Sequence, residues 1–157
     1  MKIMNKLVKN FFATDSQSWA QLVARIALGV TIFPHGAQKA LGWFGGYGFS
    51  ATVGGFQSMG LPAVIAVMVI LAEFVGSIGM ILGAGTRFMA LSIFITLGGA
   101  MVMGGHIFNG FFMNWMGGQA GEGFEYFIMV LGLAIVGMIG GGGKFSVDSQ
   151  ISKCCKV

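Results

Sequence analysis

The chain has 157 residues, of which 55% are hydrophobic and only 9% charged, and its mean hydropathy is +0.83. That balance is too apolar and too sparsely charged for an ordinary water-soluble domain, so the fold expected is all-α and embedded in a bilayer. The net charge of +4 sits on lysines and arginines flanking the apolar runs, which is how membrane anchors are charged, and calls for no nucleic-acid partner.

From the start of the chain, MKIMNKLVKNFF spaces Ile3, Met4, Leu7, Val8 and Phe11 helically, with Lys2, Lys6 and Lys9 between them. Residues 1–14 therefore read as a short helix lying on an anionic membrane surface, or as a frayed basic tail. Four apolar stretches follow, at about 19–40, 62–83, 88–107 and 125–140, each near the roughly 20 residues that a membrane crossing requires. Together they make one domain, an antiparallel bundle of four transmembrane helices. The first stretch is long, carries Arg25 and Lys39 and lacks an Ala-x-Ala cleavage pattern, so it reads as a retained anchor.

Lys2, Lys6, Lys9, Arg87, Lys144, Lys153 and Lys156 fall at one end of this topology and only Lys39 at the other. The positive-inside rule then places both termini in the cytoplasm and the chain in a bacterial inner membrane as a multi-pass protein. Residues 144–157 form a cytoplasmic tail in which Cys154 and Cys155 read as reduced, solvated thiols, since adjacent cysteines close a disulfide only with strain. Gly79 and Gly83 form a GxxxG, which suits close helix packing within one chain and also the face of a homo-oligomer. GGGGK at 140–144 lacks the preceding strand and following hydroxyl of a phosphate loop and reads as a helix end.

Function is sought in the polar residues of the spans, because ionisable groups in hydrocarbon are costly and face a cavity or a partner. Glu73 lies mid-span, roughly 15 Å from either surface, and must be paired or protonated. Arg25 is the partner expected for it, as a buried ionic pair or proton site. Pro34 should kink the first span and leave room beside His35, and Lys39 lies one turn further on the same face. His106 ends the third span and Glu125 begins the fourth. All four groups therefore share an outer layer where Trp43, Phe44 and Tyr47 could cover a ligand or form an interfacial aromatic belt.

ARIALGVTIFPHGAQKALGWFGG, the GLP at 60–62, AEFVGSIGMILGAGTRFMAL, GGHIFNGFF, GEGFEYF and the final GGGKFSVD together resemble the DoxX family of small bacterial membrane proteins, over residues 20–148. The resemblance implies a four-helix membrane protein associated with quinol oxidase or thiosulfate:quinone oxidoreductase systems. It also puts the family's recurring polar positions on Arg25, His35, Lys39, Glu73, Arg87, His106, Glu122 and Glu125. No haem, iron-sulfur, dinucleotide or metal-binding motif is present in the chain. Electrons would have to come from a diffusible carrier such as an isoprenoid quinone or from a redox partner protein. The reading is an accessory or quinone-interacting subunit of a membrane oxidoreductase, with His35, Lys39, His106, Glu125 and Trp43 around the quinone head group. A small transporter or channel built on Glu73, and a non-catalytic membrane scaffold, are the alternatives.

Overall fold

The structure, a computed structural model, describes residues 11–154. The basic segment expected as an interfacial helix lies mostly outside them, and Cys155 entirely so. Among the described residues the chain is all-helical, with six α-helices and no strand: α1 (Trp19–Leu41), α2 (Gly48–Ser58), α3 (Ala63–Leu82), α4 (Thr86–Met103), α5 (Glu125–Gly140) and α6 (Val147–Cys154). Short 3₁₀ turns follow α1 at Trp43–Gly45 and α4 at His106–Asn109. Two helices, α3 and α4, are long and apolar enough to cross a membrane, and α5 is a shorter apolar helix.

The four longest helices pack in a ring, α1 against α3 and α5, and α4 against the same two. Leu28, Ile32, Met80, Ala90, Ile93, Leu97, Phe127, Val130 and Ala134 fill the shared core. The outward faces are as apolar as the inside: Met68 and Leu71 of α3, Ile95 and Val102 of α4, and Ile139 of α5 are all more than half exposed. A face of that composition is suited to lipid rather than to water.

The α1–α3 contact sets the register of everything polar. A Cβ on Gly36 would come within 2.6 Å of the backbone of Glu73 and Phe74, and one on Gly29 within 2.9 Å of the Ser77 carbonyl oxygen. The two backbones touch, as small residues allow between helices where no hydrophobic effect drives association. α1 remains helical through Pro34.

Three expected boundaries move. The segment 41–61, between the first two apolar stretches, contains a further helix, α2, which has no buried residue. The third apolar helix stops at Met103, and His106 begins a separate turn after Gly105, whose φ is 71°. The final segment is not a free tail: Ser146, Asp148 and Ser149 are buried. Asp148 explains why. Its carboxylate accepts from the backbone N–H of Gly85 (2.7 Å) and Thr86 (2.9 Å), capping the start of α4, while its own N–H donates to the Gly83 carbonyl. Cys154 is exposed and free.

Candidate functional site

Two buried ionic centres occupy different depths. At the end of the ring where the terminal segments lie, Arg25 is 1% exposed and spends its guanidinium on backbone carbonyls. It donates to Gly142 (2.8 Å), Met80 (3.1 Å), Lys144 (3.2 Å) and Phe145 (2.9 Å), and also to Ile81. Met80 and Ile81 belong to the last turn of α3, where carbonyls lack intrahelical partners and the helix dipole favours a cation. The planar fork of an Arg is what lets one side chain serve so many acceptors.

Glu73 is therefore not paired with Arg25 as expected. About 16 Å of helix rise separates Arg25 from Gly36, the position that touches Glu73. The partner is Lys39, whose Nζ donates to Glu73 Oε2 at 2.5 Å. Lys39 lies three residues beyond Gly36 and so on the same helix face, which delivers its ammonium directly to the carboxylate. The Glu73 side chain is 4% exposed and that of Lys39 28%.

This pair opens into a groove between α3 and α4, roofed at the α2 end by Phe56, Met59 and Leu61. Its volume is about 860 Å³, within the range of small-molecule sites. Met68, Ala72, Leu91, Ile95 and Gly99 line it, and its polar groups are Lys39, Glu73, Ser92, Thr96 and His106. A charged pair at one side of a long apolar slot is an arrangement that can hold a molecule with a polar head and a hydrocarbon tail.

Of the other residues singled out in the sequence, His106 lines the groove at its α2 end, with Nδ1 2.9 Å from the Glu122 carbonyl and its ring against Phe127. His35 does not line the groove. It lies on the α1–α5 side, its ring centroid 6.3 Å from that of Tyr126. The Glu125 carboxylate accepts from the Met113 N–H at 3.3 Å, and Glu122 Oε2 from the Asn114 N–H at 2.6 Å, so both fasten the 108–124 loop. Trp43 is 54% exposed and meets Phe44 edge-on. Arg87 donates to the Met138 and Ala13 carbonyls. Sequence reasoning missed Tyr126, whose buried hydroxyl has no hydrogen-bond partner among the described residues and whose ring stands beside that of His35.

Residues 20–106, more than half of the chain, match the DoxX family. The chain belongs to the DoxX family. Every residue lining the groove falls inside that matched segment. A stretch of 81 residues is 31% identical to the Bacillus subtilis (strain 168) protein named "Putative oxidoreductase CatD", covering 52% of this chain and 56% of that protein. The match thus spans little more than half the length of that relative. No solved structure matches the chain. Membership of DoxX together with α3 and α4 makes this a membrane protein.

Proposed function

We propose that this DoxX-family protein is a quinone-interacting subunit of a membrane oxidoreductase system, and that the α3–α4 groove takes the quinone. The observation that carries the reading is the Lys39–Glu73 pair, a buried carboxylate joined to a partly exposed ammonium and open to an apolar slot. The similarity to a Bacillus protein named as an oxidoreductase agrees with it. Lys39 and His106 are the donors available to the head-group oxygens, Glu73 is the carboxylate able to exchange a proton beside them, and Met68, Leu91 and Ile95 accommodate an isoprenoid tail. A bound quinone would supply two-electron, two-proton redox chemistry. The chain's own residues bind, orient and hold protons, and the electrons pass to or from a partner subunit. His35, Glu125 and Trp43 support the fold around this site from outside the groove.

In the same reading α1, α3, α4 and α5 form a four-helix transmembrane bundle in the inner membrane. Arg87, Lys144 and Lys153 put the terminal end in the cytoplasm, and Lys39 is the isolated cation of the opposite half.

Mass spectrometry of the organic extract tests this, on protein purified in mild detergent beside Gly99→Trp and Lys39→Met. A Cβ on Gly99 would meet nothing within 4 Å, so the indole enters the groove without disturbing the core. Near-stoichiometric quinone in the native protein and its loss from both folded variants is the expected result. Equal traces in all three would overturn the reading.

A further inference from the structure

A second cavity, of about 460 Å³, lies beneath α2 on the far side of the groove's roof. The two cavities share three residues in their walls, Lys39, Phe56 and Met59. Lys39 is the more exposed member of the ion pair, while Glu73 lines only the groove. The pair is thus bounded by a lipid-type slot on one side and by this smaller pocket on the other.

The small pocket differs in chemistry from the groove. Gln38, Thr52 and Ser58 give it amide and hydroxyl groups, Tyr47 at its rim is 88% exposed, and among the described residues Lys39 is the only charge in its wall. Its cover is thin: α2 has no buried residue, and a Cβ on Gly54 or Gly55 would meet nothing within 4 Å. The other titratable groups near the pair, His35 and Tyr126 on the α1–α5 side and His106 at the groove's end, do not line it.

We propose that the pocket beneath α2 is the aqueous port of the groove, through which water and hydronium reach the Lys39–Glu73 pair from one side of the membrane only. Phe56 and Met59 are the partition: apolar side chains that keep the slot dry on one face and end the port on the other. The inference rests on the groove being a ligand site. It adds that protons exchanged at the pair come from or go to the α2 side, and that the carboxylate is not sealed in hydrocarbon.

Thiol accessibility tests it. With Cys154→Ser and Cys155→Ser as background, Lys39→Cys is reconstituted in liposomes and treated from the α2 side with a membrane-impermeant, trimethylammonium-bearing methanethiosulfonate. Lys39→Cys/Glu73→Gln is the parallel variant should the lone buried carboxylate prevent folding. Modification is expected at a rate within about tenfold of a Tyr47→Cys control, since access limits thiol reactivity. Gly55→Trp, placed in the port, should slow it about tenfold or more, and Gly99→Trp, placed in the groove, should leave it unchanged. The inference is overturned if only membrane-permeant N-ethylmaleimide reacts, or if Gly99→Trp slows the reaction and Gly55→Trp does not. Quinone retained in Gly55→Trp is measured separately, so a failed port leaves the groove reading standing, and an empty groove is recognised independently of the port.

Discussion

Arg25 and Glu73 pose the same problem, a charge where hydrocarbon surrounds the protein, and the molecule solves it in opposite ways. Around Arg25 the solution is closed: five backbone carbonyls from α3 and the 142–145 turn take up its N–H groups, and nothing remains to be contacted. Around Glu73 it is open, with one ammonium that also lines two cavities. A charge satisfied by backbone alone is architecture. A charge satisfied by one partly exposed side chain beside a cavity is available for chemistry.

The sharpest way to break this contrast is to remove each charge and compare. Arg25→Ala should cost about 3–5 kcal/mol and prevent recovery of folded protein, because it strips a buried charge from acceptors that nothing else reaches. Thermal unfolding in detergent reports it, and a stable Arg25→Ala protein would show that the centre is not architectural. Lys39→Met should be milder, at about 1–3 kcal/mol, because the Lys39 side chain is partly exposed and makes a single ionic contact. The double variant Lys39→Met/Glu73→Leu should then return close to native stability while remaining unable to hold quinone. Stability falling further in the double variant would place this pair with Arg25. The smallest effect is expected at the rim, where Lys144 Nζ lies 4.1 Å over the Trp19 ring: Lys144→Gln should shift stability by only about 0.5–1 kcal/mol.

Much of this was legible in the sequence, and the errors have physical causes. The apolar runs coincide with helices α1, α3 and α5, since a long apolar stretch forms a helix that satisfies its own backbone hydrogen bonds. The partner of Glu73 was misread because depth alone was compared, and depth says nothing of which face a side chain leaves. The relevant signal was nonetheless present. Gly29 and Gly36 lie seven apart on one face of α1, which marks the line of contact with α3, and Lys39 follows that face. Three of Arg25's five carbonyl acceptors were out of reach of sequence reasoning, because they depend on a turn in which Phe145 adopts φ of 52° and Gly141 and Gly143 also have positive φ. Likewise His106 and Glu125 were grouped as one layer, yet only His106 lines the groove, because Glu125 points into the loop it fastens.

The Arg25 cluster also bears on how the protein is made. Its acceptor at Gly142 is 117 residues later in the chain. α1 is synthesised long before that turn exists, and the carbonyls of Met80 and Ile81 arrive first. Three of the five acceptors belong to this late turn, so the last part of the described chain completes the set that surrounds the guanidinium.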